Sequence, residues 1–194
     1  DPTNDNHLVV GGLDLWRSTN GGASWMRASY WVQGGDYGPS AHADHHAIVS
    51  PPNYNASTNW TVFFGNDGGM YKTSINLQTG SNYTSNWVKL NNGLSITQFY
   101  SGAGHNGTNG HILGGAQDNS TQLYSGSGTT WSFINGGDGG FVDIDPNDGN
   151  YMYGEYVYLT IARTTNASYM SDIYSGITDA NSNALFIAPF TLDR

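Results

Sequence analysis

The sequence predicts an all-β fold built from repeated four-stranded units, and three observations support this. The 194 residues include 27 glycines. Together with Asn, Ser and Thr, these glycines interrupt short apolar runs every few residues, a pattern typical of strands joined by tight turns. Aromatic residues make up 13% of the chain, with 13 Tyr and 6 Trp, which is enough bulk for an ordered core. The third observation is an internal repeat.

Four segments share one order of features: a polar corner, an apolar strand ending in glycine, a strand ending near Ser or Thr, and usually a Trp strand. The repeats span about residues 1–49, 50–103, 104–144 and 145–183. Roughly 40 to 55 residues is the length of a four-stranded propeller blade. We therefore predict a single antiparallel β-propeller domain or fragment over 1–194, with about four blades. We favour a part of a larger propeller, or an assembling fragment, over a closed ring.

A further short strand precedes three of the corners: ADHHAIV before Ser50, TQFYSGAG before His105 and GFVDID before Pro146. We expect these to be innermost strands. The first repeat has no such strand, whereas ALFIAPFTLDR, residues 184–194, is a similar strand with no blade after it. Because an unpaired apolar edge invites another strand, we predict that this closing strand pairs with HLVVGG of the first repeat. Pairing with a neighbouring chain is the alternative.

STNGGASW, from Ser18 to Trp25, resembles the Asp-box of the BNR-repeat propellers, Ser/Thr-x-Asp-x-Gly-x-x-Trp, with Asn20 where the family has Asp. Asn bonds backbone amides and tolerates a left-handed conformation, glycine allows positive φ, and Trp fills the space between sheets. We interpret this segment as a structural corner and not as a catalytic centre. We place Trp25, Trp87 and Trp131 at equivalent outer positions, although the later copies of the box are degenerate.

A wider likeness is carried by HADHHAI, GNDGGMYKT, NNGLSITQFY, GGAQDNST and GGDGGFVDIDPND. Together these segments resemble the secreted Asp-box proteins related to sortilin-type and xyloglucanase-type propellers. The resemblance implies an extracellular or cell-surface β-propeller of a kind commonly attached to carbohydrate-active or surface proteins. It does not by itself imply a reaction.

The charge balance excludes several classes of partner. Six Lys and Arg against 15 Asp and Glu give a net charge of −9, so nucleic acid would be repelled. No apolar run approaches the roughly 18 residues of a membrane span, so we expect no membrane insertion. The chain has no cysteine, so stability outside the cell would come from packing and not from disulfides. We expect no cofactor.

Sialidase chemistry needs an arginine trio and a Tyr–Glu pair. Glu155 is the one glutamate, and Arg17 and Arg27 flank the Asp-box, so we do not expect this activity. A xyloglucanase-type hydrolase needs two carboxylates about 5 to 10 Å apart. The candidates, each at a strand end, are Asp44, Asp67, Asp118 and Asp138. In the alternative that we favour, these aspartates bond nearby amides in turns.

AHADHHA, residues 41–47, is the most unusual cluster. Strand alternation would place His42, Asp44 and His46 on one face and His45 on the other. We predict that these three residues face a channel or inter-blade space and form a hydrogen-bonded set. A metal site or acid–base work is the alternative. The candidate ligand-binding residues are His42, Asp44, His46, Gln117 and Asp118.

Sequons for N-glycosylation, Asn-x-Ser/Thr, are common in the chain, but a composition so rich in Asn, Ser and Thr would produce several by chance. They begin at Asn55, Asn59, Asn82, Asn106, Asn119 and Asn166.

Three functional classes fit the sequence. The first is an extracellular carbohydrate-binding or scaffold module, because Trp and Tyr faces with Asn and Asp groups suit sugar recognition. The second is a glycoside hydrolase with an incomplete cleft. The third is a self-assembling surface or filament protein that forms by strand completion. Whether the chain is an enzyme stays open, and we expect no hydrolase activity from the chain alone.

Overall fold

The computed structural model describes residues 1–33, 40–73, 87–107 and 110–193. The chain divides into two compact units, Asp1–Ile96 and Thr97–Arg194. Each unit contains two antiparallel sheets, and a short 3-10 turn lies at Trp31–Gln33 in the first unit. Among the described residues, no helix is long and apolar enough to cross a membrane.

The first unit contains a three-stranded and a four-stranded sheet. The three-stranded sheet consists of β1 (Leu8–Gly11), β2 (Leu15–Ser18) and β3 (Met26–Arg27). The four-stranded sheet consists of β4 (His45–Val49), β5 (Val62–Asn66), β6 (Gly69–Thr73) and β7 (Trp87–Lys89).

The second unit contains two four-stranded sheets. One consists of β8 (Ser101–Gly104), β9 (Ile112–Gly115), β10 (Thr121–Tyr124) and β11 (Trp131–Asn135). The other consists of β12 (Val142–Ile144), β13 (Met152–Glu155), β14 (Ile161–Thr164) and β15 (Ser171–Asp172).

All four sheets are meanders in which each strand pairs with the next strand along the chain. This is the strand order of propeller blades, so the predicted all-β class and its blades are confirmed. Trp87 and Trp131 open the fourth strands of their sheets, and Trp25 directly precedes the last strand of the first sheet. The three Trp residues therefore occupy equivalent outer positions, as predicted.

Each unit has its own apolar core, formed mainly by residues of its strands. In the first unit Phe64 is fully buried and meets the Trp87 ring edge-on at a centroid distance of 5.0 Å. The other members of this core are Leu15, Ala28, Ala41, Val62 and Tyr71. The core of the second unit consists of Leu113, Leu123, Ile134, Val142, Ile144, Met152, Ala162 and Met170.

The polar corners before β1 and β13 are built alike. The nitrogen of Asp1 donates to the carbonyl of His7, and its Oδ1 accepts the Thr3 amide at 2.8 Å. At the other corner the Asp145 amide donates to the Tyr151 carbonyl, and Asp145 Oδ1 accepts the Asn147 amide, also at 2.8 Å. An aspartate whose side chain accepts a hydrogen bond from the amide two residues later forms an Asx turn. This turn explains why both corners begin with aspartate.

The Asp-box-like turn has the structural role that its residues predict. Ser18 Oγ accepts the Gly22 amide at 2.9 Å and donates to Asn20 Oδ1, which also accepts the Ser24 amide at 2.9 Å. Gly21 and Gly22 have φ values of 66° and 92°, which glycine adopts without strain. The turn is a hydrogen-bonded corner between β2 and β3.

A second turn of this type follows β14, at a place that neither glycine nor Trp marks in the sequence. Thr164 Oγ1 donates to Asn166 Oδ1 at 2.9 Å and accepts the Ser168 amide at 3.2 Å. Ala167 has a φ of 54° and takes the position of Gly21. The hydroxyl and the asparagine therefore define the motif, and the glycine can be replaced.

Residues 184–193 form no strand in the structure, in contrast to the predicted closing strand, and β1 pairs with β2 alone. They lie instead against the last sheet of their own unit. The Phe186 carbonyl accepts the Tyr158 amide at 3.0 Å, and the two rings meet edge-on at 5.5 Å. Pro189 lacks an amide hydrogen, which fits a segment held by individual bonds and not by a strand ladder.

The buried carboxylate of Glu155 organises this end of the second unit. Glu155 is 0% exposed. Its Oε1 accepts the amides of Ala188 at 2.7 Å and Leu159 at 3.1 Å, and its Oε2 accepts the Phe141 amide at 3.4 Å. One side chain thus joins the chain before β12, the loop after β13 and the C-terminal segment.

We expect Ser18→Ala and Thr164→Val each to lower the free energy of unfolding by about 1 to 2 kcal/mol, because each leaves turn amides without their acceptor. Ser125→Ala, in the degenerate turn after β10, is the control and should cost less than about 0.5 kcal/mol. Urea denaturation measures the differences. Equal costs for all three variants would contradict the structural role of the turns.

Burial raises the pKa of Glu155 against the opposing effect of its three amide donors. The folded state therefore binds the proton more tightly than the unfolded state, so stability is lost as pH rises through the folded pKa. We expect Glu155→Gln to remove this loss. The test is to follow the unfolding free energies of both proteins from about pH 4 to about pH 8. If the two proteins lost stability with pH in parallel, the Glu155 carboxyl would have the same pKa in the folded and unfolded states, and this would contradict the account.

Candidate functional site

The histidine-rich segment does not form one continuous strand. β4 begins at His45, and Asp44 has a left-handed φ of 59°. The predicted alternation of His42, Asp44 and His46 along one face is therefore wrong, because strand periodicity does not extend through a left-handed residue. The ladder also shifts register between His45 and Ala47, which displaces His46 from the regular pattern.

His42, Asp44 and His46 lie close to the turn of the β5–β6 hairpin. His46 Nε2 lies 2.5 Å from Asp67 Oδ1, and the His46 side chain is 67% exposed. Carboxylate oxygens of Asp44 and Asp67 lie within 4.8 Å of each other. His42 packs over Gly68, where an added Cβ would come 2.4 Å from the His42 Cβ. The first unit thus brings two of the predicted aspartates together with a histidine.

The geometry does not support the metal alternative for His42, Asp44 and His46. In the described part of the chain, no group of three potential ligands that includes a histidine has its ligand atoms within 4.8 Å of one another. The predicted hydrogen-bonded set is also rearranged. His42 Nδ1 lies 3.4 Å from the carbonyl of its neighbour Ala43, whereas His46 pairs with Asp67.

His45 lies apart from this edge and is turned inwards. Both of its ring nitrogens are buried, and neither has a hydrogen-bond partner among the described residues. The ring meets Phe64 edge-on at 6.2 Å. Burial, with the charges of His42 and His46, lowers the pKa of His45 to about 4. His45 is therefore a neutral, partly buried histidine near pH 7.

The second unit brings Asp118 and Asp138 together through the backbone. The Asp118 amide donates to Asp138 Oδ1 at 2.8 Å, and Asp118 has a left-handed φ of 60°. Tyr100 donates a short hydrogen bond from its hydroxyl to Gln117 Oε1. Asp138 thus acts as a turn acceptor, as the favoured alternative predicts. Gln117 is exposed and lies beside Asp118 in the turn of the β9–β10 hairpin, which we call the Gln117 hairpin.

An open cleft of about 440 Å³ lies between the two sheets of the second unit. Tyr156 and Tyr174 contribute aromatic rings, and Asp172 contributes a carboxylate. The other lining residues are small or uncharged: Asn135, Gly136, Gly137, Thr160 and Asn181. The cleft therefore combines aromatic faces with amide, hydroxyl and carboxylate groups, and no cationic side chain lines it in the described part of the chain.

The loop after β13 positions Tyr156 in the cleft. The Tyr156 amide donates to the Thr160 carbonyl at 3.0 Å, and Tyr158 and Leu159 between them have φ values of 52° and 60°. The Tyr156 ring packs over Gly137, where an added Cβ would come 2.5 Å from Tyr156 Cε2. Sequence reasoning missed this site because the left-handed residues of the loop are not Gly, Asn or Asp, the usual signals.

Several sequon asparagines are engaged within their turns. The Nδ2 groups of Asn55, Asn59 and Asn119 donate to Thr58 Oγ1, the Asn53 carbonyl and the Gln117 carbonyl. Asn166 belongs to the Asp-box-like turn, Asn106 follows β8, and Asn82 lies outside the described residues. Glycosylation of these positions stays a prediction.

No family model and no curated protein sequence matches the chain. Among solved structures, a GH74 xyloglucanase from Xanthomonas campestris is 14% identical, with a TM-score of 0.36 over 87% of this chain and 28% of that chain. An ancestral GH74 enzyme is 17% identical, with a TM-score of 0.33 over 87% and 22%. YCF48 bound to D1 peptide is 13% identical, with a TM-score of 0.35 over 91% and 52%.

The chain thus spans between about a fifth and about a half of the length of these solved structures. Scores and identities this low carry no argument about site residues or activity. The fold assignment rests on the strand order and register of the chain itself.

We expect acid to destabilise the first unit through His45. Its pKa is lowered in the folded state, so the unfolded chain binds more protons and stability falls as pH drops from about 6.5 towards about 4. His45→Leu removes this group and its two unpaired nitrogens. Denaturation curves across this range should show a smaller acid loss for the variant. An unchanged slope would contradict the buried, neutral histidine.

Proposed function

We propose that this protein is an extracellular carbohydrate-binding module whose ligand site is the cleft of the second unit. The observation that carries the proposal is the convergence of Tyr156 and Tyr174 with Asp172 on one open cleft. Aromatic faces stack on the apolar faces of sugar rings, while carboxylate, amide and hydroxyl groups bond sugar hydroxyls. An open cleft also admits a chain and not only a monosaccharide.

The charge of the site favours an uncharged glycan. Among the described residues, the lining contains one carboxylate and no cationic group, and the chain as a whole carries a net charge of −9. Uronic acids and sulfated sugars would meet repulsion without a compensating ion pair. We therefore propose neutral polysaccharides as the ligand class.

Binding without hydrolysis fits the cleft better than catalysis. Glycoside hydrolysis in most families needs two carboxyl groups about 5 to 10 Å apart on either side of the bond. Of the residues that the structure describes, Asp172 is the one carboxylate that lines the cleft. The second candidate function, hydrolysis, would use Asp44 and Asp67 of the first unit, whose carboxylate oxygens lie within 4.8 Å of each other, slightly closer than the separation that most families use.

We expect Tyr156→Ala and Tyr174→Ala each to weaken binding of neutral β-glucan or xyloglucan oligosaccharides by about tenfold or more, because each removes one stacking face. Isothermal titration calorimetry measures the effect. Tyr100→Ala is the matched control, because Tyr100 is also exposed and contacts the competing candidate Gln117. If only Tyr100→Ala lost binding, the ligand site would be the Gln117 hairpin and not the cleft.

The same oligosaccharides distinguish binding from hydrolysis. We expect no release of reducing sugar by the intact chain over a long incubation. Release of reducing sugar would contradict the binding proposal if Asp44→Asn or Asp67→Asn abolished it and Asp172→Asn did not. That result would favour hydrolysis as the function.

A further inference from the structure

Several asparagines of the chain directly precede a glycine. An Asn-Gly pair is prone to deamidation, because glycine has no side chain to hinder the attack of its amide nitrogen on the neighbouring carboxamide. A glycine amide that is held in a hydrogen bond must first be released before it can attack. The pairs begin at Asn20, Asn92, Asn106, Asn109 and Asn135. The hydrogen bonds of the following glycines distinguish these pairs from one another.

The first pair lies in the Asp-box-like turn and is held on both sides of the reacting bond. The Gly21 amide donates to the Asn6 carbonyl at 3.0 Å. The Asn20 carboxamide is also engaged, because its Nδ2 donates to Ser24 Oγ and its Oδ1 accepts the Ser24 amide, both at 2.9 Å. Asn20 is exposed, so exposure alone does not identify a reactive pair.

Three further glycine amides donate hydrogen bonds in the second unit. The Gly107 amide donates to His105 Nδ1 at 3.0 Å, and the Gly136 amide donates to the Tyr169 hydroxyl at 3.3 Å. The Gly110 amide donates to the Gly107 carbonyl at 3.2 Å, although the asparagine before it lies outside the described residues. In these pairs too, the nitrogen that would attack is already engaged.

The Asn92–Gly93 pair differs from the other four. It forms the centre of the turn after β7, which the Leu94 amide closes by donating to the Asn91 carbonyl at 2.9 Å. Gly93 has a φ of 78°, and no atom beyond its chain neighbours would lie within 4 Å of an added Cβ. Both residues are exposed. Among the described residues, neither the Gly93 amide nor the Asn92 carboxamide takes part in a hydrogen bond.

We infer that Asn92 is a site of spontaneous deamidation that reacts before the other described Asn-Gly pairs. The Gly93 nitrogen loses its proton to base and bonds to Asn92 Cγ, while the Cγ–Nδ2 bond breaks and ammonia leaves. Water then opens the resulting succinimide at either carbonyl, so the products are aspartate and isoaspartate. Both add a negative charge to a chain whose net charge is already −9, and isoaspartate also lengthens the backbone.

The test is to age the intact chain at mildly alkaline pH and to follow each Asn-Gly peptide by mass spectrometry, where a gain of about 1 Da marks deamidation. The Asn92 peptide should convert at least about fivefold faster than those of Asn20, Asn106 and Asn135, because each of these must first break a hydrogen bond. No conversion at Asn92, or conversion as fast at any of the other three, would overturn the inference. Aspartate without isoaspartate would overturn it as well, since it would indicate direct hydrolysis.

A variant that frees a protected glycine amide tests the physical cause. His105→Ala removes the acceptor of the Gly107 amide, so conversion of Asn106 should rise at least about threefold. Production in a bacterial host leaves the sequon at Asn106 unglycosylated. Tyr169→Phe makes the corresponding change for the amide after Asn135 and keeps the test decisive if His105→Ala fails to fold. Unchanged conversion at the freed position in a folded variant would refute the protective role of the hydrogen bond.

Discussion

The buried carboxylate of Glu155 is the interaction on which the proposed carbohydrate site depends. The chain around it has no cysteine, and the loop after β13 contains left-handed residues that are not glycine. Such a loop persists only when its surroundings hold it, because these conformations are strained. Glu155 does so by accepting the Leu159 amide, and the same oxygen fixes the C-terminal segment through Ala188. The position of the Tyr156 ring follows from that anchor.

Elsewhere in the structure, side-chain oxygens also hold short loops in place by accepting hydrogen bonds from backbone amides. Short strands supply few ladder bonds, so side-chain oxygens at the corners satisfy the turn amides. Asp1 and Asp145 begin two corners, and Ser18 and Thr164 close two others. Such corners restrict where the chain can turn, and this leaves the hairpin loops and sheet edges free to carry different side chains. The proposed carbohydrate site draws on residues in such loops.

The sequence predicted the features that depend on local chemistry. The meander sheets, the outer Trp positions and the turn at Ser18 follow from glycine spacing and hydroxyl–amide bonding. The predictions for His42 and for residues 184–194 failed for two different reasons, one local and one that depends on a contact distant in sequence. A left-handed Asp44 breaks the strand, and Glu155 captures the terminal segment. The cleft could not be predicted, since it joins residues from loops that are far apart in the sequence.

The most direct measurement is a structure of the protein with a neutral β-glucan oligosaccharide bound, or the map of backbone amide shifts that the oligosaccharide induces. The account predicts sugar rings against Tyr156 and Tyr174, with hydroxyl bonds to Asp172 or its neighbours in the lining. A sugar bound at the Gln117 hairpin, or across Asp44 and Asp67, would contradict it. The absence of any bound sugar at saturating concentration would contradict it equally.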